Sequence, residues 1–293
     1  MLQARGLTKS YGARRVLDDV TFDVAPGRMT GFVGGNGAGK TTTMRIILGV
    51  LDADAGSVTL DGTPLGPDDR RRFGYMPEER GLYPKMRLEE QLVYFARLHG
   101  LSAPAAQSNA RDLLERLGLT ERAGDALEKL SLGNQQRAQI AAALVHDPDV
   151  LVLDEPFSGL DPMAVETVVE VLRERASRGI PVLFSSHQLD IVERLCDDLV
   201  IIADGVIRAA GPREELRERH AVLRYRLDAA DTAWLDATPG VTVVERDAAG
   251  AEFEADDAAT VQRVLADALA RGPVTDFSRR RPRLADIFRE VVA

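Results

Sequence analysis

The stretch MTGFVGGNGAGKTTTMRIIL, Met29 to Leu48, decides how the rest of the chain is read. Met29 to Gly34 is close to continuously apolar, as a central strand is, and TTTMRIILGVL beyond it reads as a helix. Between them GGNGAGKT, Gly34 to Thr41, fits the spacing G-x-x-x-x-G-K-S/T. Glycines there let backbone N–H groups approach a phosphate without interference from a Cβ. Lys40 can reach β- and γ-phosphates, and the Thr41 hydroxyl can face Mg2+. The candidate nucleotide contacts in this segment are Gly34, Gly35, Asn36, Gly37, Ala38, Gly39, Lys40, Thr41 and Thr42. Taken alone the segment is also readable as a Gly-rich turn; the strand before it and the helix after it favour a phosphate cradle.

Working outward, VLVLDE (Val150 to Glu155) is an apolar strand ending in two acids. Asp154 is placed to bind Mg2+, usually through water, and Glu155 to orient or deprotonate an attacking water. Without the cradle upstream, the same residues are a buried strand with a charged end. His187, in FSSHQLD, follows another apolar strand, either as a structural histidine or as a γ-phosphate sensor. Tyr11, in the turn-like SYG ahead of the β pattern, is either a packed aromatic or a ring that stacks on a base. LSLGNQQR (Leu130 to Arg137) opens a further helix with Ser131 and Gly133, and an exposed helix N-terminus is a second anion site.

The 293 residues suffice for one large α/β domain and a small one, with 45% hydrophobic and 28% charged residues, ordinary for a globular chain. A net charge of −9 argues against a nucleic-acid partner, which needs a basic footprint. The single cysteine, Cys196, leaves no disulfide framework or cysteine-based zinc site within one chain. No apolar run reaches the ~18 residues of a membrane span, so a membrane role is expected to go through a partner.

Elsewhere VTFDV reads as a half-buried strand, SVTLDG as a strand turning at Asp61-Gly62, and Leu88 to Leu130 as helical. DVLVLDE and IPVLFSSH read as central parallel strands, and LVIIADGVIRAAG as a hairpin around Asp204-Gly205. GPREELRERH reads as a short helix and linker. The order then becomes LRYRL strand, DTAWLDA weak helix, VTVVER and AEFEA strands, AATVQRVLADALARG helix and PVTDFS strand. That is the β-α-β-β-α-β order of a ferredoxin-like α+β domain. PRLADIFREVV adds an amphipathic helix, and RRRPR (279–283) reads either as a solvated linker or as a basic run that meets lipid headgroups or an acidic partner, the linker being favoured.

Taken in order, GGNGAGKTT, LSLGNQQR, VLVLDEP, SGLD and SSH resemble the ATP-binding subunits of ABC transporters over residues 1–215. The resemblance implies an α/β P-loop NTPase fold of the ABC type: a parallel core sheet, an antiparallel β subdomain and a helical subdomain. It implies ATP and Mg2+ as cofactors and a working unit of two copies packed head to tail. In that pair Ser131, Gly133 and Gln135 face the γ-phosphate held by the other copy, and Asp161 of SGLD crosses the interface.

Gly35 stands where the family often has proline or serine, and Asn134 where it commonly has glutamine or glycine. In FGYMPEERGLYPKM, Glu78 replaces a glutamine that ligands Mg2+ and links to the membrane subunit. Glu78 is carried over as a metal-side contact beside Thr41 and Asp154, the alternative being a solvated acid beside Glu79 and Arg80. PEERGLYPKM and the tail resemble the ATPases of ABC-2-type exporters, including bacterial sodium and drug efflux systems.

The expectation is therefore an ATP-binding domain over 1–215 and an accessory domain over 221–293. The protein would sit at the cytoplasmic face of the cell membrane as a homodimer bound to a transmembrane permease subunit. It would couple MgATP-driven closure and hydrolysis to export of an ion, drug or other small molecule. The alternative is a soluble ABC ATPase acting on the ribosome or DNA. Against it, each motif occurs once, and no coiled coil or cysteine-rich module separates the cradle from LSLGNQQR.

Overall fold

The computed structural model describes residues 1–79, 81–219, 223–280 and 284–292, in two compact units, Met1–Arg213 and Glu214–Val291. The first unit begins with an antiparallel ribbon, β1 (Leu2–Tyr11) and β2 (Arg14–Val24), turning at Gly12-Ala13. β3 (Met29–Val33) leads into α1 (Lys40–Ile47). β4 (Ala55–Leu60) and β5 (Thr63–Pro64) pair around Asp61-Gly62, both at the positive φ that a two-residue hairpin turn requires.

A short α2 (Pro67–Arg70) and β6 (Phe73–Met76) precede three helices, α3 (Leu88–Leu98), α4 (Ala103–Arg116) and α5 (Leu132–Leu144). The unit closes with β7 (Val150–Leu153), α6 (Pro162–Ser177), β8 (Val182–Ser186), α7 (Leu189–Leu195), β9 (Asp198–Ala203) and β10 (Val206–Pro212).

Two sheets result. One is antiparallel, in the order β2-β1-β4-β5; the other runs β10-β9-β3-β8-β7-β6, with five parallel strands and an antiparallel β10 at its edge. β3, β7 and β8 are buried at every residue, as strands covered on both faces must be. Leu7, Leu17, Phe22 and Val24 of the antiparallel sheet share one core with Phe32, Val152, Leu183 and Ile202 of the parallel sheet and with Met44 and Ile47 of α1. This is the expected ABC-type α/β arrangement.

Tyr11 departs from its expected place in a turn: it is the last residue of β1. Register shifts along β1 break the alternation that would have marked a ten-residue strand.

Register decides where the loops meet. Val33 lies opposite Ser186 and Ile201, and Leu153 opposite Met76 and Phe184. The carboxyl ends of β3, β6, β7 and β8 therefore share one edge, where open α/β sheets place their ligands. Gly34, Pro77, Asp154 and His187 are the residues that leave it.

α8 (Arg213–Arg219) follows β10. Beyond it come β11 (Leu223–Ala229), a 3-10 turn (Ala233–Ala237), β12 (Val241–Arg246), β13 (Gly250–Ala255), α9 (Ala258–Arg271), β14 (Val274–Arg280) and α10 (Leu284–Val292). The antiparallel order β12-β13-β11-β14 is the ferredoxin-like one. Its first helix is reduced to five residues of 3-10 helix, with Pro239-Gly240 shortly beyond its end. Leu227, Leu235, Phe253, Val261 and Val264 form the core of this sheet and α9.

Buried Arg226 is held by Asp228 at 2.5 Å and Asp247 at 2.7 Å. The Arg226 hydrogen bond, with those from the Ala249 and Gly250 amides, lowers the Asp247 carboxyl to about 2. Arg281, Pro282 and Arg283 of the basic run, and His220 of the linker, lie outside the described residues. No helix among the described residues is long and apolar enough to cross a membrane.

Candidate functional site

The loop between β3 and α1 is built by close approach. A Cβ on Gly34 would stand 2.5 Å from the Ile202 carbonyl oxygen, and Gly39 sits at φ +110° with Leu17 2.5 Å from where its Cβ would be. No side chain caps α1 and no acid occupies its first turn, so its leading N–H groups remain for an anion. Lys40, the first residue of α1, is buried and folds its Nζ back to donate to the carbonyls of Gly34 (2.7 Å) and Gly35 (3.1 Å). A positive charge is thereby held inside the loop.

The acids after β7 are fixed from several sides. Asp154 accepts from Thr41 Oγ1 at 3.0 Å and from Ser185 Oγ at 2.5 Å. The same Ser185 oxygen accepts from the Glu155 amide at 2.9 Å. Glu155 holds φ +52°, a left-handed conformation that costs a non-glycine residue about 1–3 kcal/mol. Gln136 of α5 helps to hold it there, donating to the Glu155 and Pro156 carbonyls at 2.9 and 3.1 Å. His187 Nδ1 lies 3.0 Å from Glu155 Oε2. Close by, the Tyr75 phenol is pushed up, first by burial and then by the negative charge of Asp154.

These groups surround one cleft of about 600 Å³, lined by Tyr11, Asn36, Gly37, Gly39, Lys40, Thr41, Thr42, Glu78, Asp154, Glu155 and His187 among the residues expected from sequence. Gly34, Gly35 and Ala38 are not among its lining residues. Ser131, Gly133, Gln135 and Asp161 lie outside the cleft. Ser131 caps α5 by accepting from the Asn134 amide at 3.3 Å, and Asp161 caps α6 by accepting from Ala164 at 2.9 Å. Gln135 spends its amide on the Leu127 and Leu130 carbonyls, and Gly133 stands beside Gly159 and Leu160.

Sequence reasoning missed Arg14 and Val16, which line the cleft, and Ser185 and Gln136, which brace its acids. A signal for Arg14 was present: the two-residue turn Gly12-Ala13 puts it directly across from Tyr11. Ser185 carried none, since a strand buried on both faces shows no alternation.

Thr41 and Asp154 converge as oxygen donors, which suits a hard cation. Among the described residues no group of three or more His, Cys, Asp or Glu side chains could hold a metal by itself. A site of this kind fits Mg2+, which keeps few protein ligands and completes its shell with phosphate and water.

A family model described as ABC transporter matches residues 17–158, and one described as ATP-binding protein DrrA1-3-like, C-terminal domain, matches residues 211–292. The chain is 37% identical to the ABC transporter ATP-binding protein YhaQ of Bacillus subtilis (strain 168), covering 100% of this chain and 98% of the relative. It is 42% identical to the Nod factor export ATP-binding protein I of Paraburkholderia xenovorans (strain LB400), over 67% of this chain and 66% of that one. A solved structure described as the ATP binding subunit of an ABC transporter superposes with a TM-score of 0.70 at 36% identity, covering 75% of this chain and 92% of the other. The chain belongs to the ABC ATPase family, among the ATP-binding proteins of ABC transporters.

Proposed function

We propose that this chain is the ATP-hydrolysing subunit of an exporter, with residues 1–215 as the catalytic domain and 221–293 as an accessory domain. The observation that carries the reading is the convergence of Lys40, Thr41, Asp154, Glu155 and His187 on one cleft, with Thr41–Asp154 and His187–Glu155 each 3.0 Å apart. The adenine base stacks on Tyr11, and the phosphates lie against Lys40 and the first-turn amides of α1. Thr41 and Asp154, with Glu78 on the same side, would hold Mg2+, which would supply charge neutralisation at the phosphate oxygens. Glu155 takes a proton from the attacking water, and His187 orients that water and the carboxylate.

A second copy completes the site. Ser131, Gly133, Gln135 and Asp161 face the γ-phosphate held by the first copy, so hydrolysis removes the bridge between the two. The exposure of Leu132 (59%) and Met163 (78%) beside these residues supports a covered surface. A transmembrane permease subunit docks its cytoplasmic helix in the groove beside the Glu78–Met86 loop and α3, which places the complex at the cytoplasmic face of the membrane. Export is supported by the Nod factor export relative and by PEERGLYPKM; the cargo is an ion, drug or other small molecule.

Glu155→Gln tests the assignment. Hydrolysis is expected to fall by on the order of 100-fold or more, and ATP is expected to trap a dimer on gel filtration. Unchanged turnover removes Glu155 from the mechanism, and a persistent monomer removes the shared site.

A further inference from the structure

The strand that ends at Tyr11 carries a second feature two residues earlier. Lys9 keeps only 14% of its side chain exposed. Its Nζ donates to Asp54 Oδ1 at 2.9 Å and stands over the Tyr11 ring, 5.9 Å from the ring centroid. The other Asp54 oxygen accepts from the Ser10 amide at 2.7 Å, and the Asp54 amide donates to the Thr8 carbonyl at 2.8 Å. Asp54, just ahead of β4, is thereby pinned to Thr8, Lys9 and Ser10 in turn. The hydrogen bonds from Lys9 and then from the Ser10 amide hold its carboxyl below the usual carboxylate range, so the anchor for the ammonium stays charged at neutral pH.

A tie between β1 and the residue ahead of β4 needs only Asp54; it does not need the ammonium over a ring. Tyr11 is 53% exposed and lines the cleft, whereas Lys9 is not among the lining residues. The ammonium thus reaches the ring without entering the cleft, and leaves the ring's cleft side to a ligand. A cation over one face draws the π cloud toward itself. That thins the cloud on the other face, where the π cloud of a stacked purine would otherwise be repelled. The same contact holds an exposed ring in place before binding, which removes part of the ordering cost.

The β1–β2 ribbon lines the cleft with Tyr11, Arg14 and Val16, none of which carries a side-chain amide or carboxylate to read a base edge. The face of Tyr11 is what this end of the cleft offers to a base. We infer that Lys9 is a positioning residue for the nucleotide base: anchored by Asp54, it fixes the Tyr11 ring and tunes its free face for stacking. The inference rests on the reading of Tyr11 as the ring that stacks on the base. Lys9 acts through Tyr11 alone, unlike Arg14, which lines the cleft itself.

The test is calorimetry of the full chain in EDTA, where ATP is not hydrolysed, with ATP and with inorganic triphosphate, which has no base. Lys9→Met is expected to weaken ATP binding roughly 2–5-fold, the size of an exposed cation–π contact, and to leave triphosphate binding unchanged. Lys9→Gln, which can still donate to Asp54 but carries no charge, should lose as much as Lys9→Met. Lys9→Arg keeps a cation and should bind ATP as the native chain does. Tyr11→Leu should weaken ATP binding about fivefold or more, and adding Lys9→Met to it should cost nothing further. Melting curves confirm that each variant is folded at the assay temperature.

Native ATP affinity in Lys9→Met or Lys9→Gln overturns the inference. So does equal weakening of ATP and triphosphate, a Lys9→Arg chain as weak as Lys9→Met, or the same loss from Lys9→Met with and without Tyr11; each makes Lys9 a tie to Asp54 and nothing more. A Tyr11→Leu chain with native ATP affinity overturns the stacking reading itself.

Discussion

Ser185→Ala isolates the brace beneath the acids. Ser185 is fully buried, donates to Asp154 at 2.5 Å and accepts from the Glu155 amide at 2.9 Å. Alanine removes a bond to a charged acceptor, worth ~1.5–3 kcal/mol, and strands a buried N–H at ~1–3 kcal/mol. Partial relaxation brings the expected loss to about 3 kcal/mol, or roughly 6–12 °C in Tm for a unit of this size. Glu155, already at a left-handed φ, loses one of its holds, and a shift of about 1 Å costs on the order of 100-fold in kcat.

Ser186→Ala is the control. It sits next along the same strand, buried, and among the described residues its hydroxyl accepts only from the Gln188 amide at 3.0 Å, a loss of about 1 kcal/mol. Thermal melts and steady-state ATPase assays of both variants decide the matter. Equal melting shifts, or a Ser185→Ala enzyme with native kcat, would refute the idea that Ser185 holds Asp154 and Glu155 in the geometry the proposed mechanism needs.

Three further outcomes follow from the geometry. Gly39→Ala forces a side chain onto φ +110° and against Leu17, at about 1–3 kcal/mol; calorimetry should show ATP affinity reduced by more than about tenfold, and native affinity would contradict the close-approach argument. Arg14→Gln removes a cation across from Tyr11 in the cleft wall; ATP binding should weaken by about 2–5-fold, as for an exposed pair, with adenosine binding unchanged. His146 binds its proton more weakly folded (about 4) than unfolded (6.5), so stability is present above pH 6.5 and lost as pH falls toward 4, by about 3 kcal/mol at most; denaturant titrations of His146→Phe should show a shallower loss across that window, and an identical slope would exclude this residue as the cause.

The glycine-rich loop between β3 and α1 was legible in the sequence because its form is carried by consecutive backbone: glycines, a lysine and a threonine at fixed spacing need no distant partner to be read. The same holds for the hairpin turns at Asp61-Gly62 and Asp204-Gly205, and for the helix opened by Ser131, where the residue that starts the element also caps it. The ferredoxin-like order of the second unit was readable from alternation, apart from a first helix too weak to form more than five residues of 3-10 helix. β1 was hidden by its bulges, and Tyr11 was misplaced with it.

Other features were decided only by tertiary structure. Ser185 meets Asp154 across neighbouring parallel strands, and Gln136 reaches Glu155 from a helix nineteen positions away. Gln139 and His146 share a cavity with Phe73 and Phe95 because α5 packs against β6 and α3. Local spacing records which groups a segment carries and how its own backbone turns. Which buried acceptor faces which donor depends on strand register and helix packing, and those are set by the sum of the core.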